Sequence, residues 1–142
     1  MKKFSLWLKL AIGFQLLTAF VHSLSFFTSP QPKNDTEREL VNLVQNYKLD
    51  LGAGFHRSTA QLMLALSLCF TLVCLLGGLI NWHLLRKKIA SDVLVGVINI
   101  NLIVFGICFG GMLLFTFLPP IILTGLIFVF LILARLTIAE WA

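Results

Sequence analysis

Long apolar runs alternate with one polar interval along this chain. Hydrophobic residues dominate Leu10 to Phe27, with Phe4, Leu6, Trp7 and Leu8 ahead of them, then Ala60 to Asn81, then Val93 to Ile138. Each run reaches the roughly 20 residues that a helix needs to cross bilayer hydrocarbon. As one helix, the 46 residues from Val93 to Ile138 would extend about 69 Å at ~1.5 Å per residue, more than twice the hydrocarbon thickness. That interval must fold back, and Pro119-Pro120 marks the place. The pattern predicts helices at about 4–28, 59–84, 92–117 and 120–139. The fold class is therefore all-α, an antiparallel four-helix transmembrane bundle forming a single membrane domain over 1–142.

Polar residues inside these runs are grouped by face. Gln15, Thr18, His22, Ser25 and Ser29 recur at spacings of three and four, which places them within an arc of roughly 80° on one side of the first helix. Ser67, Thr71, Cys74, Gly78 and Asn81 share a face of the second, with Ala60 in register. An unpaired polar group facing lipid costs several kcal/mol, so these faces are expected to meet one another, their hydroxyls bridging the helices. In the third run Asp92, Gly96, Asn99, Gly106 and Gly110 lie together, with Asn101 and Cys108 opposite. Gln15, Thr18, Ser67, Thr71, Asn81 and Asn99 are the expected polar interior, and Gly78, Gly106 and Gly110 the expected points of close helix packing. The last run is almost entirely Leu, Ile, Phe and Val and reads as the most lipid-exposed member.

The polar interval spans 29–57. Pro30 and Pro32 stop the first helix, and Thr36-Glu37-Arg38-Glu39 has the Thr-x-x-Glu spacing of a capping box. Leu40, Leu43, Val44, Tyr47 and Leu51 then follow at helical spacing, predicting a short amphipathic helix at about 37–48, lying on the bundle mouth or on the bilayer surface. Gly52 and Gly54 end it.

Composition settles the class. Of 142 residues 58% are hydrophobic and only 12% charged, against roughly 45–50% and about 25% in soluble domains, so the chain is a small integral membrane protein whose first partner is the lipid bilayer. Net charge is +5, but the cations sit at the ends of apolar runs without interleaved aromatics, which argues against nucleic acid. Seven of the eleven, Lys2, Lys3, Lys9, Arg86, Lys87, Lys88 and Arg135, fall on one side of a four-span layout. The polar interval has Lys33, Arg38, Lys48 and Arg57, offset by Asp35, Glu37, Glu39 and Asp50. The positive-inside rule then places both termini in the cytoplasm and the large loop outside, in an inner (cytoplasmic) membrane. Lys2-Lys3 followed by Leu10 to Val21 and then Ser23 and Ser25 also meets the formal pattern of a cleaved signal peptide, but apolarity continuing through Phe26 and Phe27 favours a span. Cys69, Cys74 and Cys108 all sit in apolar runs with no CxxC pair, and read as small core hydrophobes.

Candidate chemistry is sparse. No Asp, Glu, Lys or Arg lies between Leu10 and Phe27 or between Ala60 and Asn81, so a proton- or cation-coupled carrier would lack its central carboxylate. The histidines have no third ligand at metal spacing, and there is no Gly-rich phosphate loop or Ser-His-Asp set, so neither a cofactor nor a catalytic residue is assigned. His22 near the end of helix one, with Arg38, His56 and Arg57 of the loop, forms the expected ligand-binding mouth. It would take a lipid-like or quinone-like small molecule or a membrane partner protein, and oligomerisation is left open. A small transporter or channel subunit using Asn81, Asn99 and Asn101 is the second reading, and a membrane enzyme acting on a lipid or quinone head group the third.

Phe20-Val21-His22-Ser23-Leu24, then a Pro-bearing loop with a short helix, then Gly54-Phe55-His56-Arg57-Ser58 resembles a group of small bacterial four-helix membrane proteins of unassigned activity. In that group His-Ser or His-Thr closes the first span and Gly-x-x-Arg-Ser precedes the second. The resemblance covers roughly the first 85 residues and implies a bacterial inner-membrane protein with His and Arg brought together at the outer mouth. The four-span layout is also similar to DoxX-like proteins, as an analogy of fold alone.

Overall fold

The computed structural model describes residues 2–28, 30–87 and 89–141; Ser29 of the polar stripe and Lys88 of the basic turn lie outside them. Helix α1 runs Lys2–Leu24 and continues as a 3-10 turn, Ser25–Phe27. Helix α2 is Asp35–Asn46, strands β1 and β2 are Lys48–Asp50 and His56–Ser58, and helices α3, α4 and α5 are Thr59–Lys87, Ser91–Phe115 and Leu118–Thr137. Four helical segments, α1 with its 3-10 turn, α3, α4 and α5, are each long and apolar enough to cross a membrane. The protein is an all-α, multi-pass bundle with one short amphipathic helix outside it.

Local chemistry sets the boundaries. Asn34 caps α2: its Oδ1 accepts the Glu37 N–H at 2.8 Å while Glu37 Oε2 accepts the Lys33 N–H at 2.7 Å. The reciprocal cap therefore begins at Asn34 and not at the expected Thr36, because Asn holds the free N–H groups of the first turn as well as Thr does. A second reciprocal cap opens α3, with Ser58 Oγ accepting the Gln61 N–H at 3.3 Å and Gln61 Oε1 accepting the Ser58 N–H at 3.0 Å. Between them the chain forms a small antiparallel hairpin with Lys48 opposite Ser58, Leu49 opposite Arg57 and Asp50 opposite His56. Its turn passes through positive φ at Gly52, Ala53 and Gly54 (81°, 50° and 79°). Farther on, the reversal between α4 and α5 occupies Thr116 and Phe117. Pro119 and Pro120 fall inside the first turn of α5, where a missing N–H costs nothing; they start the helix and do not make the bend.

Helix α1 is the centre. It packs on α3 along one side and on α5 along the other; α4 packs on α5, and the backbones of α3 and α4 approach at few points, their contact being carried by side chains, so that by backbone packing the order is α3, α1, α5, α4. One core cluster joins Phe4, Leu8 and Ile12 to Leu85, Leu94, Ile98, Ala134 and Ile138, and a second joins Ala11 and Ala19 to Cys74, Phe105, Ile127 and Leu131. The apolar α5 is not the most lipid-exposed helix. Its most apolar stretch is 22% buried against 11% for α3, since in a bilayer apolarity gives a helix no reason to leave the lipid or to seek it. Close approach is local: a Cβ on Gly106 would lie 3.0 Å from the Phe128 ring, and one on Gly125 3.0 Å from the Phe109 ring. Each ring of the stacked Phe109–Phe128 pair thus lies over the other helix's glycine. A Cβ on Gly110 would meet nothing within 4 Å, so only Gly106 of that pair is a packing point, and the helix it meets is α5.

Candidate functional site

Two polar features are set in this apolar frame. The first lies in the bundle interior, where Gln15 of α1, Asn81 of α3 and Asn101 of α4 join their amides. Gln15 Nε2 donates to Asn101 Oδ1 at 3.2 Å, Asn81 Nδ2 donates to Gln15 Oε1 at 3.2 Å and to Asn101 Oδ1 at 3.4 Å, and Asn101 Nδ2 donates to its own helix at Val97 O, 3.0 Å. All three are buried. The cluster is possible only because Gly77 lies against it: a Cβ there would be 2.9 Å from Gln15 Nε2, 3.1 Å from Asn101 Oδ1 and 3.1 Å from the Phe105 ring. Next to it, a Cβ on Gly78 would lie 3.0 Å from Leu16, so the expected close approach there is between α3 and α1.

Asn99 departs from the expected interior. It is exposed on the outer surface of α4, where its Oδ1 accepts a 2.9 Å bond from Arg135 Nε. The face of α4 that turns inward carries Leu94, Ile98, Asn101 and Phe105, centred roughly 130° from Asn99 at about 100° per residue. The hydroxyls also behave differently from expectation. Thr18, Thr71 and Thr124 donate within their own helices, to Phe14 O, Ser67 O and Pro120 O at 2.7, 3.0 and 2.7 Å. A short side chain finds the carbonyl one turn back within reach, whereas an amide is long enough to cross to a neighbour. Thr18 is buried, and Ser67 and Thr71 are half-buried.

The second feature is at the loop end of the bundle, where two cavities adjoin the 3-10 turn. A cleft of about 480 Å³ opens between α2, that turn and the start of α3, lined on the α2 side by Leu40, Val41 and Val44 and opposite by Ala60, Met63 and Ser67. On the other side of the turn, a cavity of about 180 Å³ lies among Thr18, His22, Phe70, Pro120 and Thr124. Ser25 lines both. In the smaller one the His22 ring stands edge-on to Phe70 at 5.0 Å and to Phe26 at 6.3 Å, and its Nε2 is buried without a hydrogen-bond partner.

The four residues expected to form a mouth are not gathered into one site. Arg38 is exposed and pairs with Asp35 at 3.2 Å, on a different face of α2 from the cleft. His56 and Arg57 are exposed on β2; Arg57 donates to His56 O at 3.1 Å and lies 5.9 Å from the Phe55 ring centroid. Neither lines the His22 cavity. The hairpin explains this, because it turns the segment before α3 into a two-stranded ribbon standing off the bundle, where a linear reading brings it directly to the helix end. Among the described residues no group of three or more His, Cys, Asp or Glu is placed to hold a metal ion. What sequence reasoning missed is Gly77, which differs from Gly78 only in pointing at the amides, and Asn101 as a member of the interior. Comparison with known proteins adds no relative: no family model, no curated protein and no solved structure matches the chain.

Proposed function

We propose that this protein is a non-catalytic membrane protein that binds a lipid-like molecule at the loop end of its bundle, the apolar part of the ligand occupying the cleft beneath α2. The observation carrying this reading is the cleft itself. It offers about 480 Å³ bounded by apolar side chains with Ser25, Gln45 and Ser67 at its edges, the mostly apolar, sparsely polar lining typical of small-molecule sites. The amphipathic α2 forms one wall, held at its start by the Asn34–Glu37 cap. Transport draws less support: Asn99 is outside, and Asn81 and Asn101 are tied to Gln15.

The distribution of Lys and Arg supports an orientation with both termini cytoplasmic and α2 outside, and the resemblance to small bacterial four-helix proteins supports an inner-membrane location. A reporter fused at the C-terminus that is active only on the outer side would overturn that orientation.

Native mass spectrometry of gently extracted protein tests the binding reading. The wild type is expected to carry a lipid-sized adduct, and Ala60→Trp, which fills the cleft from the α3 side, to lose it while keeping its helical content. A wild-type chain without adduct, or an Ala60→Trp chain with the same load, would refute it. An adduct of protein mass would replace it with partner-subunit binding.

A further inference from the structure

We infer that the smaller cavity beside His22 receives the ring of a quinone-type head group, His22 Nε2–H donating to a ring carbonyl, with the tail of the same molecule passing Ser25 into the cleft beneath α2. The inference rests on the loop-end binding reading and names the class of its ligand. Three observations lead to it.

The first is size and lining. At about 180 Å³ the cavity is close to the ~150 Å³ of an apolar cavity that takes up a single benzene ring. Its walls are Phe70, Phe117, Pro119, Pro120 and Leu123, with aliphatic and hydroxyl groups of α1 and α5 completing them.

The second is the distribution of donors. Thr18, Ser25 and Thr124 line the cavity, but their hydroxyl protons are already given to Phe14 O, His22 O and Pro120 O at 2.7, 2.6 and 2.7 Å. The His22 Nε2, buried and without a partner, is the remaining group able to bind an oxygen inside the cavity. A buried polar atom left unpaired is costly, and a ligand that supplies the missing partner recovers that cost. A single donor in an otherwise apolar ring-sized space selects a ring bearing a carbonyl over a charged or many-hydroxyl head group.

The third is adjacency. Ser25 borders both cavities, so they lie on either side of the 3-10 turn and a chain leaving a ring held at His22 has only that residue to pass before it meets the apolar cleft. The buried Gln15–Asn81–Asn101 amides are bonded to one another, and none of them lines the cavity.

The test uses the purified full chain in detergent micelles with duroquinone, whose fully substituted ring does not add to the exposed Cys69 thiol, and durene, the same tetramethylated ring without oxygens. Thermal unfolding midpoints are followed against probe concentration. Duroquinone is expected to raise the midpoint and durene to do so only at much higher concentration. Replacing the donor by a ring without one, His22→Phe, is expected to weaken duroquinone about tenfold, the scale of one buried hydrogen bond. His22→Gln, which keeps an N–H donor, is expected to recover most of the loss, a pattern that a merely destabilised pocket would not give. Leu66→Ala, at a residue that is 71% exposed and lines neither cavity, is expected to leave duroquinone affinity unchanged. Equal shifts by durene and duroquinone, or equal affinity of His22→Phe and wild type, would overturn the inference. If duroquinone does nothing while native mass spectrometry still finds a lipid lost in Ala60→Trp, the head-group assignment fails and the cleft reading stands. If His22-dependent duroquinone binding persists while no lipid adduct is found in wild type, the cleft reading fails by itself.

Discussion

Helices α1 and α3 are both membrane-spanning, and they occupy opposite situations. The most apolar stretch of α1 has a mean hydropathy of 1.6 and is 39% buried, whereas that of α3 reaches 2.5 and is 11% buried. In a water-soluble protein the more apolar helix would be the more buried. Here the order is reversed, because lipid receives Leu and Ile as readily as a protein core does, and what must be removed from lipid is the polar group. Gln15 and Thr18 are buried on α1, and the helix that carries them becomes the one that others surround. On α3 the inward positions Cys74, Gly78, Asn81 and Leu85 form a narrow strip, and the remaining faces are Leu, Ile and Val turned outward. Across the four spans, the less apolar the helix, the larger the share of it that is buried.

The sharpest way to break the difference is to push the two helices apart where they are closest. Gly77→Leu would set a Cβ 2.9 Å from Gln15 Nε2 and 3.1 Å from Asn101 Oδ1, overpacking the contact and parting the amides. We expect a loss of about 3 kcal/mol or more, combining overpacking with the broken bonds, read as a shift in unfolding by sodium dodecyl sulfate in mixed micelles. A loss below about 1 kcal/mol would mean that α3 does not sit against α1 as described. Next in size is Leu8→Ala on α1. Leu8 is fully buried between the helices, and removing it should cost about 2 kcal/mol, the lower end of the range for core leucines, because only packing and not transfer from water is lost.

A smaller effect isolates the polar interaction. Gln15→Leu keeps the volume and removes both the donor to Asn101 and the acceptor for Asn81. Intramembrane hydrogen bonds average roughly 0.6 kcal/mol and rarely exceed about 1.7, so a cost of about 1 kcal/mol is expected in the same assay. A neutral or stabilising result would show that the amides add nothing to the adhesion of α1, leaving Gly77 and the leucines to account for its central place.

The sequence disclosed the four spans, because length and apolarity alone require them, and the inward strip of α3 through Cys74, Gly78 and Asn81 was legible from its spacing. The inward face of α4 was not. Two polar faces about 200° apart, one with Asn99 and one with Asn101, satisfy periodicity equally, and only the position of Gln15 and Asn81 in space decides between them. The loop was half legible. Its amphipathic helix follows from Leu40, Val44 and their spacing, yet Asn34 and Thr36 fit the same capping rule, and spacing alone does not choose between them. The hairpin carried a signal in Gly52-Ala53-Gly54 between Lys48-Leu49-Asp50 and His56-Arg57-Ser58. That signal is too short to stand out, and without the hairpin a linear reading sets His56 and Arg57 beside His22. The cavities could not be read at all, because they depend on how far α2 and α5 stand from the 3-10 turn.

The smallest expected effect probes the outer face of α3. Leu66 is 71% exposed and, with lipid around it, Leu66→Ala removes contacts that acyl chains replace. The change should stay within about 0.5 kcal/mol, as for surface substitutions generally, and its value lies in the contrast with Leu8→Ala. The two mutations delete the same atoms from leucines on neighbouring helices, so the difference between them measures what protein packing adds beyond lipid packing. If Leu66→Ala instead costs as much as Leu8→Ala, the outer face of α3 is covered by protein. Dilution of the protein in the micelle phase would then weaken the folded state of the wild type and leave that of Leu66→Ala less affected. That outcome would make the apolarity of α3 a property of an assembled interface, and the low burial of the single chain would no longer describe its surroundings.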